Sequence, residues 1–167
     1  MNIQNKPQFS VVIPLYNKLD HIIRTIDSVL AQSYDSYEII VVDDGSTDGS
    51  PNLVSKLRGD SVKLVRQLNA GVSCARNRGV EEASGDIIAF IDADDTWEPH
   101  FLEEVKALHE DFPEAQAYGT SYQFIVDDGR FVDPKIRFKN MPKTSCLLKD
   151  YFSVGSRGDL PFMMSSF

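Results

Sequence analysis

The chain is 167 residues long, 42% hydrophobic and 25% charged, which fits one soluble globular domain large enough to bury a core. Its formal charge of −8 argues against non-specific binding to nucleic acid or anionic lipid, since both favour basic surface. A nucleotide ligand stays open, because a bound metal can supply positive charge locally.

Residues 1–8 are polar, lack the apolar run of a signal peptide and are expected to form a disordered tail. Phe9 to Leu15 reads as a buried strand closed by Pro14, with Asn17 as the cap of the next helix. In that helix Leu19, Ile22, Ile23, Ile26, Val29 and Leu30 repeat at helical spacing. Tyr37 to Asp43 is a second strand. Ser50-Pro51 fits N-cap and N1 of a short helix carrying Leu53, Val54 and Leu57. Val62 to Arg66 is a third strand. Gly71 to Ser84 reads as a helix with Val72, Ala75, Val80 and Ala83 on one side, stopped by Gly85. Asp86 to Asp92 is a fourth strand. Glu98 to Phe112 is a helix with Thr96 as cap and Pro99 in its first turn. Strict alternation of strand and helix over about 110 residues implies a mostly parallel sheet covered on both faces.

After Pro113 the pattern changes. Ala115 to Val126 and Arg130 to Val132 flank Asp127-Asp128-Gly129, a hairpin signal. Leu147 to Phe152 reads as a short helix, 155–161 as a loop and Phe162 to Phe167 as the start of another strand. No run of about 18 apolar residues exists to span a membrane. Cys74 and Cys146 form no CxxC pair and read as free thiols, with Cys74 expected to pack against the sheet.

Two strands deliver carboxylates to their C-terminal ends. Ile39 to Val42 runs into Asp43-Asp44-Gly45-Ser46-Thr47-Asp48, and Ile87 to Ile91 runs into Asp92-Ala93-Asp94-Asp95. Open α/β sheets build ligand crevices at such ends. An Asp-x-Asp there can hold a divalent metal against a phosphate. Taken singly, each motif also has a plain reading. Asp-Gly-Ser-Thr is turn-rich, and Asp48 and Ser50 suit a turn and a cap. Arg76 and Arg78 suit a solvated helix face paired with Glu81 and Glu82. Trp97 suits packing at a helix start, and His21, His100 and His109 suit the surface. The tripeptide Arg157-Gly158-Asp159 is a chance match.

Four motifs in order change that balance: 11–17 (Val-Val-Ile-Pro-Leu-Tyr-Asn), 42–48 (Val-Asp-Asp-Gly-Ser-Thr-Asp), 69–77 (Asn-Ala-Gly-Val-Ser-Cys-Ala-Arg-Asn) and 90–95 (Phe-Ile-Asp-Ala-Asp-Asp). Together they resemble the family 2 glycosyltransferases, over roughly residues 9 to 125. The resemblance implies an α/β fold of GT-A type, a Rossmann-like α/β/α sandwich with a mostly parallel central sheet. It implies transfer of a sugar from a nucleotide-diphospho-sugar, with UDP-sugars favoured, to the hydroxyl of a saccharide or glycolipid acceptor. The reaction would be inverting and dependent on Mn²⁺ or Mg²⁺, within bacterial polysaccharide or glycoconjugate biosynthesis. By the same resemblance the backbone from Pro14 to Tyr16 lies beside the base. Asp44 contacts the base, Asp92 lies near the ribose and Asp94 is the metal ligand. Arg76 is placed near base or phosphates. The family's general base follows the strand that Phe162 begins, so it is expected beyond Phe167. The expected division is therefore a donor-binding domain at 9–126 and the start of an acceptor-side region at 127–167. The implied location is the cytoplasm, with peripheral membrane association of a full-length protein compatible and no nucleic-acid partner.

Two alternatives stay open at this level. One is a module that binds a sugar-nucleotide without turning it over. The other is a phosphatase, because Asp92-Ala93-Asp94-Asp95-Thr96 fits a DxDx[T/V] motif whose first Asp is a nucleophile. In such phosphatases that motif closes the first strand, whereas here three βα units precede it.

Overall fold

The computed structural model describes residues 6–57, 62–120, 122–126 and 129–133. The helix, loop and strand expected within 147–167, Cys146 and the tripeptide at 157–159 lie outside them, as do Asp127 and Asp128 of the hairpin turn. The chain divides into two units, Met1–Glu103 and Glu104–Phe167.

The first unit is built on β1 (Phe9–Leu15), α1 (Ile22–Leu30), β2 (Tyr37–Asp43), α2 (Ser50–Val54), β3 (Val62–Arg66), α3 (Val72–Glu81) and β4 (Ile87–Phe90). All strand pairs are parallel, in the order β3-β2-β1-β4. The central strands carry near-continuous apolar runs because both their faces are covered. Phe9, Val11, Val12, Ile13 and Leu15 of β1, and Ile39 to Val42 of β2, are fully buried. Each such branched or aromatic side chain contributes about 1.5–3 kcal/mol on burial.

Register assigns the faces. Val12 is level with Ile40, and Pro14 with Val42. Ile40 and Val42 pack with Val65 and with Ala75 of α3, so even-numbered positions of β1 and β2 face α3. The step from β3 to β4 reverses the direction of travel across the sheet. Right-handed crossovers then place α1 and α2 on the opposite face. There Ile22, Ile26 and Val29 of α1 are fully buried, together with Thr25.

Several expected details differ. Leu19 and Leu30 are exposed, so the buried face of α1 is narrower than the apolar pattern suggests. In α3, Ala75 and Gly79 are the buried positions, while Val72 and Val80 are exposed and Cys74 is an exposed free thiol. The reason is close approach: a Cβ on Gly79 would lie 2.2 Å from Val12 Cγ1, so α3 meets the sheet through its smallest residues. Gly85 does not stop α3, which already ends at Glu81. It lets the chain run against β1, where a Cβ would lie 2.6 Å from Ser10 N. Asp86 and Ile87 both donate their N–H to the Gln8 carbonyl, so Gln8 joins the sheet margin. β4 itself is four residues long, not seven.

α4 (Phe101–Asp111) crosses the division of units. It starts later than the sequence suggests, and Thr96 does not cap it. Pro99 instead offers its carbonyl to Ser33 N–H at 2.8 Å, and Gln32 Oε1 accepts Leu102 N–H at 3.0 Å. In the second unit β5 (Phe124–Ile125) and β6 (Phe131–Val132) form the expected antiparallel hairpin, only two residues to a strand. Gly129, at φ 80, closes it with a hydrogen bond to the Val126 carbonyl.

Candidate functional site

The strand order places a topological switch point between β1 and β4, and open α/β sheets bind ligands outside the carboxyl ends of strands at such a point. β4 stops early there. Phe90 pairs with Val12, while β1 continues to Leu15. Asp92 and Asp94 therefore leave β4 beside a length of β1 that, among the described residues, has no strand partner on that side. Pro14 suits this place. The Val12 carbonyl accepts Ile91 N–H at 3.2 Å, so the even-numbered backbone groups of β1 point toward β4. Pro14 comes next on that side, past the paired stretch, where a missing N–H breaks no ladder bond. Tyr16, one residue beyond β1, is half exposed.

The loops on this edge are tied together by side chains. Asn17 does not cap α1. It sits at φ 51, donates its N–H to Ser46 Oγ at 3.1 Å and accepts Thr47 N–H on Oδ1 at 2.8 Å. α1 begins later, with the Lys18 carbonyl accepting from His21 and Ile22. Asp48 accepts Leu19 N–H at 2.8 Å and both the N–H and Oγ of Ser50 at 2.9 and 2.6 Å. Desolvation pushes the Asp48 carboxyl up, but these donors outweigh it and hold it below the ordinary range. Its turn role is as expected. Ser50 is the first residue of α2, and Gly49 at φ 86 holds the cap position.

Asp44 is nearly fully buried. Its Oδ1 accepts Gln67 Nε2 at 2.7 Å and Ala70 N–H at 2.8 Å, and its Oδ2 accepts Gly71 N–H at 2.9 Å. Asn69 Nδ2 reaches the Asp44 carbonyl at 3.0 Å. Asp44 thus fixes the loop that launches α3, one turn before Arg76. Gly45 is required at this contact: it has φ 76, and a Cβ there would lie 3.0 Å from Asn69 N.

Each carboxylate of the Asp-x-Asp faces a base from another element. Arg76 Nη2 lies 2.7 Å from Asp92 Oδ1, and Lys18 Nζ lies 2.6 Å from Asp94 Oδ2. The backbone between them is held independently. Thr25 Oγ1 lies 2.9 Å from the Ala93 carbonyl and 2.8 Å from that of Asp95, and Arg24 Nη2 reaches the Asp94 carbonyl at 3.2 Å. Desolvation pushes Asp94 up, but the hydrogen bond and charge of Lys18 prevail and hold it below the ordinary carboxylate range. Asp95 goes the other way: desolvation raises its pKa, and the charges of Asp92 and Asp94 add to that.

These residues fit a divalent metal of the oxygen-loving kind. Among the described residues no three His, Cys, Asp or Glu side chains gather into a closed metal cage. Mg²⁺-type sites need none, since they take one or two carboxylates and fill the rest with phosphate and water. Asp94 offers one half-exposed carboxylate just beyond a strand end.

Pro14, Tyr16, Asp92 and Asp94 lie at or just beyond the ends of the two strands that flank the switch point, and Arg76 joins them through Asp92, whereas Asp44, following β2, contacts Leu15 and residues 67–71. Lys18, Thr25 and Gln67 were not singled out in the sequence. The signals available were Lys18's place directly after the Tyr16-Asn17 pair and a polar Thr25 inside an apolar helix face. Trp97 stacks on Phe101 with centroids 4.1 Å apart, as its packing role requires. His21 and His100 are exposed, and His109 meets the Tyr118 hydroxyl at 3.0 Å within the second unit. A separate polar depression, lined by Asp43, Ser46, Thr47, Asn52 and Arg66, opens at the ends of β2 and β3 and contains neither Asp92 nor Asp94.

Comparison with known proteins bears on the family and the fold. The uncharacterized glycosyltransferase YibD of Escherichia coli K12 is 43% identical over 121 residues, covering 70% of this chain and 34% of that protein. Staphylococcus aureus TarS 1–349 in complex with UDP-GlcNAc superposes with a TM-score of 0.60 at 30% identity, covering 64% of this chain and 32% of that one. The mannosyltransferase PcManGT from Pyrobaculum calidifontis, in complex with GDP-Man and Mn²⁺, gives a TM-score of 0.58 at 26% identity, covering 74% and 38%. The chain spans well under half the length of the first curated relatives it matches, 38% and 34% of the first two. The fold is the GT-A type of these neighbours, with its parallel four-stranded sheet. The phosphatase alternative loses its ground, since the acidic motif closes the fourth strand and its first Asp is engaged by Arg76. The model of glycosyl transferase family 2 matches residues 10–165, nearly the whole chain, and it is to that family that the chain belongs.

Proposed function

We propose that this chain carries the donor site of an inverting, metal-dependent glycosyltransferase that moves a sugar from a nucleotide-diphospho-sugar to an acceptor hydroxyl. The observation that carries the reading is the convergence of Asp92 and Asp94 on the β1–β4 switch point, each beside a cation from another element. Neighbours of the same fold hold UDP, UDP-GlcNAc or GDP-Man, which supports a nucleotide-sugar donor, with uridine favoured as the base. The pathway proposed is polysaccharide or glycoconjugate synthesis, with a saccharide or glycolipid acceptor. Residues 9–126 form the donor portion and 127–167 begin the acceptor side.

In this reading the base lies against the backbone of Pro14 to Tyr16, with the exposed Tyr16 ring beside it. Asp44 already accepts three hydrogen bonds, so its contact with a base N–H uses the remaining acceptor position. Asp92, steadied by Arg76, faces the ribose. Asp94 would hold Mn²⁺ or Mg²⁺, which supplies Lewis-acid stabilisation of the departing diphosphate. The acceptor oxygen bonds to the anomeric carbon as the bond to the diphosphate oxygen breaks. The nucleoside diphosphate keeps that electron pair, and the hydroxyl proton passes to a base outside the residues assigned here.

Calorimetric titration of nucleoside diphosphates and their sugar conjugates, with and without Mn²⁺, tests the reading. Metal-dependent binding of one nucleotide is expected. A folded sample that binds none of them overturns it.

A further inference from the structure

We propose that Lys18 is an internal counter-cation for Asp94, a place-holder that a divalent metal must displace before it can bind. The inference rests on the donor-site reading above and adds to it an order of events. Lys18 comes from the loop after β1 and Asp94 from the loop after β4, so their 2.6 Å contact spans the switch point. An ammonium and a dication cannot share that carboxylate oxygen without repulsion. The other carboxylate of the Asp-x-Asp is no substitute, because Asp92 is engaged by Arg76.

Two further observations make the contact a place-holder and not a brace. Lys18 and Asp94 are 39% and 41% exposed, so solvent and ions reach the pair, and exposed ion pairs are weak enough to be displaced. The loop backbone does not depend on Lys18, since Thr25 and Arg24 hold the carbonyls of Ala93, Asp94 and Asp95. Removing the ammonium therefore leaves Asp94 in position without its direct ion-pair partner. Free metal meets a site that is already neutralised. A metal that arrives with a diphosphate brings negative charge to offset the displaced ammonium.

The test is Mn²⁺ titration followed by electron paramagnetic resonance of the free ion, on wild type, Lys18→Met and Lys18→Arg, without nucleotide and with UDP. Thermal melts check that each variant is folded. Lys18→Met is expected to bind free Mn²⁺ about three- to fivefold more tightly than wild type, the scale of an exposed ion pair. Lys18→Arg, which keeps the cation, is expected to stay close to wild type. If wild type binds Mn²⁺ with UDP, and Lys18→Met shows the same or weaker affinity for the free ion, the place-holder is overturned while the donor site stands. If no protein binds Mn²⁺ with or without UDP, the metal reading and the place-holder fall together.

Discussion

Arg76 of α3 lies 2.7 Å from Asp92 at the end of β4, and both side chains are mostly buried, 15% and 23% exposed. The contact ties the helix behind the sheet to the acidic loop in front of the crevice. Breaking such a pair strands a charge of low exposure. Arg76→Met and Asp92→Asn are each expected to cost about 1–3 kcal/mol of stability by urea denaturation. Because each loss includes the other partner's stranded charge, the double variant should lose less than their sum, with a coupling of about 0.5–3 kcal/mol. Additive losses would mean that the pair contributes nothing as a pair.

Asp94→Ala tests the metal assignment. The side chain is half exposed, so its loss should leave the fold intact, with a stability change within about 0.5 kcal/mol. Mn²⁺-dependent nucleotide affinity is expected to fall by tenfold or more, about 1.4 kcal/mol. Calorimetry showing the same affinity in the presence of Mn²⁺ would remove Asp94 from the metal site.

Asp44→Ala should do two things at once. It leaves the N–H groups of Ala70 and Gly71 without their buried acceptor, which costs about 1–3 kcal/mol in chemical denaturation. It should also weaken nucleotide binding with and without metal. A variant that is destabilised but keeps full affinity for the free nucleoside diphosphate would leave Asp44 as a clamp on the loop before α3 and not a base contact.

Gly79→Ala and Gly85→Ala probe how closely the chain packs on β1. The new methyl would meet Val12 at 2.2 Å in the first case and Ser10 N at 2.6 Å in the second. Overpacking typically costs about 1–3 kcal/mol. Gly85→Ala is expected to be the more severe, because its obstacle is backbone and cannot turn aside. A melting temperature within a degree of wild type for Gly85→Ala contradicts the close approach.

Glu38 gives an acid-sensitive stability term. Burial pushes its carboxyl up, but donors from Ser10, Ser84 and Gly85 outweigh this and hold it below the ordinary value. A carboxylate depressed in the folded state contributes stability above the unfolded value, about 4.3, and loses it as pH falls through the folded value. Glu38→Gln is expected to cost about 1 kcal/mol at neutral pH, allowing for partial exposure. That difference should shrink in melts taken below about pH 4. A gap that is constant with pH would assign the loss to shape and not to charge.

The sequence by itself determined the strands. Phe9–Leu15, Tyr37–Asp43 and Val62–Arg66 have the bounds the sequence predicts; burial on both faces imprints a continuous apolar run on the two central strands, whereas β3 buries only Val65. The ordered motifs likewise marked Asp44, Arg76, Asp92 and Asp94 through the family resemblance. Only the tertiary structure decided what each of these side chains touches. Asn17 reads locally as a helix cap, yet Ser46 and Thr47, some 30 positions away, hold it in a left-handed turn. Cys74 and Val80 read as helix core, yet the nearness of Gly79 to Val12 rotates them outward. Lys18 carries no pattern of its own, and its meeting with Asp94 exists only because β4 inserts beside β1. Periodicity is a local signal, whereas the site is assembled from loops that the strand order, set by long-range pairing, brings to one edge.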